Sequence, residues 1–185
     1  AVTWCSGCGT CTRVCPHGVA VAEINIQAKA RLAETHAPPL RDQIISRTEL
    51  YGFAGSLAAP IANPVLRFRP ARWAMEKALG IDRDAPMPPF AARTFRARQR
   101  SRCTSKPPAD VARVVAYFHG CSTNYYEPDL GRTAIAVLEK LGCRVILPPQ
   151  RCCGLPLQSN GLFSAARWHA STNIRLLHPF VEAGI

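Results

Sequence analysis

The run C-S-G-C-G-T-C-T-R-V-C-P, Cys5–Pro16, sets four cysteines apart by two, two and three residues. A cubane 4Fe–4S cluster takes one thiolate per iron, and closely spaced cysteines can wrap one from a single short loop. The spacing is that of bacterial 4Fe–4S ligand runs. Gly7 and Gly9 ease the steric limits where such a loop must curl. Zinc is the rival reading, but structural zinc usually draws on two separated cysteine pairs. Cys5, Cys8, Cys11 and Cys15 are therefore read as metal ligands of an iron–sulfur cluster. With this spacing the fourth cysteine of a two-cluster protein ligates the other cluster. Two arrangements stay open: Cys15 closes a single cluster, or it serves a second one whose remaining ligands precede Ala1. The run begins so close to Ala1 that the second is the expectation.

The rest of the composition agrees with a metal-binding globular chain. It has 185 residues, 48% of them hydrophobic and 19% charged, enough to bury a core as one or two domains. Seven of the nine cysteines fall in two clusters, Cys5/Cys8/Cys11/Cys15 and Cys121/Cys152/Cys153. A secreted disulfide framework would spread them through a small, loop-rich chain. No basic start followed by an apolar run opens the sequence, so a reducing compartment is expected. The net charge of +11 admits nucleic acid, an anionic membrane surface or an acidic partner protein. Much of it lies between Arg83 and Lys106, with Arg93, Arg96, Arg98, Arg100 and Arg102, among Pro86, Pro88 and Pro89. That stretch reads as a linker, either simply solvated or in contact with a membrane or partner.

Outward from the cysteine loop, apolar spacing predicts an amphipathic helix from Val19 to about Glu34, stopped by Pro38 and Pro39. A second short helix is expected from Leu40 to about Tyr51. Leu50–Leu66 carries no charge and holds Pro60 and Pro64. It is slightly short for a bilayer span and broken for one. It either lies in a membrane interface, with Arg67, Arg69, Arg72 and Trp73 at the headgroups, or packs on the protein. Pro70 and Gly80 bracket a further helix. Then the texture changes: Val111–Phe118 reads as a buried strand, Asp129–Leu141 as a helix and Cys143–Leu147 as a strand. That is a βαβ unit with a parallel pair. A last helix is expected from about Gly161 to Leu177.

Cys121 should end the first strand and Cys152–Cys153 should follow the second. Carboxyl ends of adjacent parallel strands share an edge where ligand sites form, so three thiols could converge there. Metal or cluster binding, buried structural cysteines and a redox disulfide all remain open. Cys143 reads as core, Cys103 as a free thiol in the linker, and His119 as a packed residue or a hydrogen-bond donor near the cluster.

The cysteine run, then F-H-G-C-S-T-N-Y-Y-E-P-D-L-G (Phe118–Gly131) and R-C-C-G-L-P-L-Q-S-N-G (Arg151–Gly161), resembles the C subunits of anaerobic glycerol-3-phosphate dehydrogenases. LRDQIISRTELYGF, LAAPIANP and ALGID resemble them too. The wider relatives are CCG-domain proteins, including the B subunits of heterodisulfide reductases and the iron–sulfur subunits of glycolate and lactate oxidation. The resemblance implies an α+β chain: a helical ferredoxin-type 4Fe–4S domain (1–82), the basic linker (83–109), and a partial α/β (βαβ) cysteine-rich CCG domain (110–185). It implies cofactor binding by Cys121, Cys152 and Cys153, hence a second iron–sulfur cluster. It also implies electron relay from a flavin-containing dehydrogenase subunit toward membrane quinone, at the cytoplasmic face of the membrane. Relatives carry two ferredoxin-type runs and a later CxxC in each cysteine-rich domain. This sequence has one run and no later CxxC, so it is expected to be part of a longer chain. It holds no G-x-G-x-x-G fingerprint and no triad, and no catalytic residue is assigned. A zinc-stabilised nucleic-acid module is the remote alternative, with Phe90 and Phe95 as its only aromatics among the arginines.

Overall fold

The computed structural model describes residues 2–110 and 112–185. Val111, the expected first residue of a strand, lies outside them. In chain order the helices begin with α1 (Thr10–Arg13), α2 (Val21–Thr35), α3 (Leu40–Ser46), α4 (Thr48–Leu57), α5 (Ala59–Arg67), α6 (Arg69–Leu79) and α7 (Phe95–Arg98). There follow β1 (Val114–Ala116), α8 (Cys121–Tyr125), α9 (Pro128–Lys140), β2 (Arg144–Ile146), α10 (Leu155–Ser159) and α11 (Phe163–Glu182). The chain is mostly helical with one small parallel sheet, the α+β class read from the sequence. It forms two compact units, one of the chain up to Thr48 with Cys153–Ala170, the other of Glu49–Cys152 with Ser171–Ile185. These limits differ from the boundaries expected at residues 82 and 110. The physical reason is a return of the chain: residues after the sheet go back to the first unit.

In the first unit, α2 is the predicted amphipathic helix. Its N-terminus lacks a cap from its own flank. The Thr12 hydroxyl takes that role, accepting from the Ala22 amide at 3.0 Å and donating to Glu23 at 2.8 Å. The cysteine run is thereby seated on the helix that follows it. The expected helix from Leu40 to Tyr51 is interrupted at Arg47, whose backbone (φ −89°, ψ 53°) is not helical.

The second unit holds the uncharged segment as two helices, α4 and α5, parted at Ala58. Helix α6 starts at Arg69 with Pro70 in its first turn and ends on Gly80 at φ 65°, as its sequence punctuation predicts. Strands β1 and β2 pair in parallel, Val114 with Arg144 through Ala116 with Ile146. The predicted eight-residue strand is shorter than expected: Arg113 sits at φ 52°, and Tyr117 continues only one bond, to the Ile146 carbonyl at 2.9 Å. Neighbouring strand residues face opposite sides. Val145 joins Phe95, Ile135 and Leu147 in one buried cluster, while Ile146 joins Val114 and Phe180 in another.

The stretch expected as a linker is packed. Phe95 is fully buried, edge-on to Tyr117 with ring centroids 6.0 Å apart, and Phe90 is buried against Tyr51. Thr94 caps α7 through the Ala97 amide. Two aromatic anchors hold the segment down, because burying a large ring stabilises by about 2 kcal/mol while the charged heads of neighbouring arginines can stay in water. Phe95→Ala is expected to destabilise the chain by about 3–5 kcal/mol. Urea unfolding followed by circular dichroism would measure this. A loss under about 1 kcal/mol would show that the segment is not part of the core.

Candidate metal centres

The cysteine run folds as a curl, a single helical turn and a second curl. Gly7 stands at φ 70°, and a Cβ there would lie 2.9 Å from the Ser159 hydroxyl oxygen and 3.2 Å from Ile26 Cδ1. Position 7 therefore combines a left-handed backbone with a close approach, which only glycine meets without strain. Cys11 lies within α1, and the Cys15 sulfur accepts from the Val19 amide at 3.4 Å. Cys8 and Cys11 are exposed, Cys5 and Cys15 half-buried. The Cys8 thiol points at the Thr10 hydroxyl oxygen, 3.4 Å away. That hydroxyl, foremost among its neighbours, holds the Cys8 thiol below the ordinary thiol range and so favours the thiolate.

Lys29 was not singled out by the sequence, yet it fixes this loop. It is buried on α2, and its ammonium donates to the Cys5 carbonyl at 2.5 Å, the Ser159 carbonyl at 3.2 Å and Asn160 Oδ1 at 3.3 Å. The only sequence signal was a lysine in phase with the apolar face of an amphipathic helix. Asn160 extends the contact, donating to the Ser46 hydroxyl at 2.8 Å and the Pro156 carbonyl at 3.1 Å.

In the second unit, Cys121 opens α8 rather than ending β1, since the strand stops at Ala116 and Tyr117–Gly120 intervene. Cys152 is buried. Its amide donates to Glu49 Oε2 at 3.1 Å, and Glu49 Oε1 pairs with Arg151 Nη1 at 3.1 Å. Asn173 on α11 accepts from the Arg151 amide at 2.7 Å and donates to the carbonyls of Arg151 and Cys152. A buried asparagine and a glutamate thus grip the backbone at Cys152. Burial foremost, with the Cys121 and Cys152 sulfurs among lesser causes, pushes the Tyr125 phenol above its ordinary range. Cys153 is exposed and opens the segment that returns to the first unit. Gly154 after it stands at φ 83° as the N-cap of α10, a conformation that explains the glycine of C-C-G.

His119 is buried edge-on to Phe95, centroids 5.3 Å apart. Its Nδ1 lies 3.3 Å from the Gly120 carbonyl and so carries the proton. Burial holds the imidazole below its usual range, neutral, with Nε2 lacking a hydrogen-bond partner. It is a packed residue with one unused acceptor. Cys143 and Cys103 are both half-buried, and Cys103 joins the Phe95 cluster instead of standing free in a linker.

None of the nine cysteines is in a disulfide. Among the described residues no three His, Cys, Asp or Glu side chains gather as ligands of a single ion do. The donor set of the first loop fits a cluster: four thiols on one curled segment, two presented outward, one already biased to thiolate. An iron–sulfur cluster binds each thiolate through a different iron, so its ligands need not meet at one point.

Residues 115–179 match the family described as CCG, cysteine-rich domain. Over 167 residues, 90% of its length, the chain is 36% identical to the C subunit of anaerobic glycerol-3-phosphate dehydrogenase from Escherichia coli strain K12, and equally to that of strain O157:H7. It spans 41% of those relatives. A shorter match of 54 residues, 37% identical, links it to lactate utilization protein A of Bacillus thuringiensis strain Al Hakam, covering 29% of this chain and 23% of that protein. No solved structure matches the chain. The resemblance read from the cysteine-bearing segments and the stretches between them extends over 90% of the chain.

Replacing Lys29 by Met should leave buried carbonyls unpaired and destabilise the first unit by about 1–3 kcal/mol. Urea unfolding of the metal-free protein reads the loss, and unaltered stability would show that the ammonium does not hold the loop.

Proposed function

We propose that the chain is the electron-transfer part of a membrane-associated dehydrogenase of the glycerol-3-phosphate type. The observation that carries this reading is the curled loop presenting Cys5, Cys8, Cys11 and Cys15 within a chain similar to the C subunit of that enzyme. An iron–sulfur cluster held by these thiolates would supply one-electron chemistry, and the proposed place of the chain is between a flavin-containing partner subunit and membrane quinone. Cys121, Cys152 and Cys153 are the proposed ligands of a second cluster. The chain's own residues do the positioning. Lys29 clamps the Cys5 carbonyl, Thr10 favours the Cys8 thiolate, and Asn173 with Glu49 fixes the backbone at Cys152. The partial match to lactate utilization protein A favours a second reading, the same relay serving oxidation of a 2-hydroxy acid.

The proposed address is the cytoplasmic face of the membrane, held peripherally. No described helix is long and apolar enough to cross a bilayer. Helices α4 and α5 instead expose Leu50, Phe53, Leu57, Ile61 and Val65, followed by Phe68 and Trp73. Their spacing sets them along helix faces, and Arg67 and Arg69 follow directly, which suits an anionic lipid surface.

Anaerobically purified protein should be brown, absorb broadly near about 400 nm, and contain iron with acid-labile sulfide. Cys8→Ser should remove a cluster signal from the electron paramagnetic resonance spectrum of the reduced protein. Colourless protein with stoichiometric zinc would overturn the relay. For the membrane reading, Leu57→Glu with Ile61→Glu should weaken sedimentation with phosphatidylglycerol vesicles by about tenfold or more, since each lost apolar contact is worth over about 1.4 kcal/mol. Unchanged sedimentation would remove that face from the proposal.

A further inference from the structure

A cavity of about 480 Å³ in the second unit lies at the start of α6, lined by Leu66, Arg67, Arg69, Arg72, Trp73 and Arg83 among others. Arg72 decides its character. The residue is only 5% exposed. Its Nε donates to the Arg83 carbonyl at 3.0 Å, and its Nη2 donates to the carbonyls of Asp82 at 2.8 Å and Ala85 at 2.7 Å. Its Nη1 is buried and has no acceptor. No carboxylate pairs with it among the described residues, although burying an uncompensated cation is costly. Arg67 and Arg69 border the same cavity without an ion pair among the described residues, while Arg83 is paired with Glu76 at 2.5 Å. Asp84 is the one acid of the lining. The wall therefore carries an excess of guanidinium groups around an unused, buried N–H pair.

We propose that this cavity binds a phosphate group. Planar guanidinium forks match the oxygens of phosphate, and several of them together suit its charge better than that of a lone carboxylate. The volume exceeds what a bare ion needs, leaving room for the group the phosphate is esterified to, whether a lipid headgroup or a soluble phosphate ester. Arg72 supplies the buried donor, held in position by three carbonyls, and Arg67 and Arg69 supply charge at the mouth. The site stands apart from the electron relay, because no cysteine lines it.

Calorimetric titration of the whole chain with inorganic phosphate, at fixed low ionic strength in chloride, tests the proposal. Saturable binding is expected, weakened at least tenfold by Arg67→Gln with Arg69→Gln. These positions lie at the mouth, so the variant keeps the Arg72 brace and its fold. A charge-matched control, Arg132→Gln with Arg175→Gln, should bind phosphate as the parent does. Vesicles of phosphatidylglycerol in phosphatidylcholine separate the two sources. If the pocket takes a headgroup, inorganic phosphate competes with vesicle binding and the mouth variant loses it. If it takes a soluble ester, inorganic phosphate leaves vesicle binding unchanged while the calorimetric signal still depends on Arg67 and Arg69. Absence of saturable phosphate binding, or equal weakening in the control variant, would overturn the site.

Discussion

The Lys29 ammonium joins parts of the chain that lie 130 residues apart. It reaches the Cys5 carbonyl at the head of the cysteine loop and the Ser159 carbonyl in the segment after C-C-G. A buried lysine is tolerable only where its charge is met by several acceptors, and here two carbonyls and an amide oxygen do that. The requirement works in both directions. The loop needs the lysine to keep its carbonyl satisfied, and the lysine needs the returning segment to complete its shell. The first unit is consequently built from two remote stretches, and the ligand loop is part of its packing.

Local signals were the legible ones. Helix α2 showed its apolar stripe, α6 its Pro70 and Gly80, and α9 its apolar positions with Gly142 beyond; each element is set mainly by its own residues. The parallel pairing of β1 and β2 followed from the strand–helix–strand order. What stayed hidden depends on partners far away in sequence. Phe95 looked like one aromatic among arginines, and only its packing on Ile135, Val145 and Leu147 makes it core. Arg113 at φ 52° shortens β1, and nothing in its residue type announced that. The return of Cys153–Ala170 to the first unit rests on hydrogen bonds to Lys29 and Ser46, which no periodicity encodes.

The site was legible in a similar measure. The spacing of Cys5, Cys8, Cys11 and Cys15 is a covalent fact of the chain, and the reading of a cluster loop rests on that spacing rather than on any detail of folding. The second group needed three dimensions. What steadies Cys152 is Glu49 and Asn173, residues of no evident motif. Such supporting residues hold backbone rather than metal, and backbone contacts leave no spacing signature.

The arginines changed meaning most. A net charge of +11 suggests an outward-facing basic surface. Yet Arg96 donates to the Pro148 carbonyl at 2.8 Å, Arg98 to the Arg93 carbonyl at 3.0 Å, and Arg102 pairs with Glu139 at 2.7 Å. Arg96 and Arg98 thereby brace irregular backbone that has few ladder bonds of its own, a task for which a planar fork with five donors is suited. Arginines spent on internal carbonyls keep their charge but lose much of their reach toward a partner. Other guanidinium groups remain uncommitted among the described residues. Arg67, Arg69 and the buried Nη1 of Arg72 meet that description around one cavity, next to the apolar residues that α4 and α5 expose.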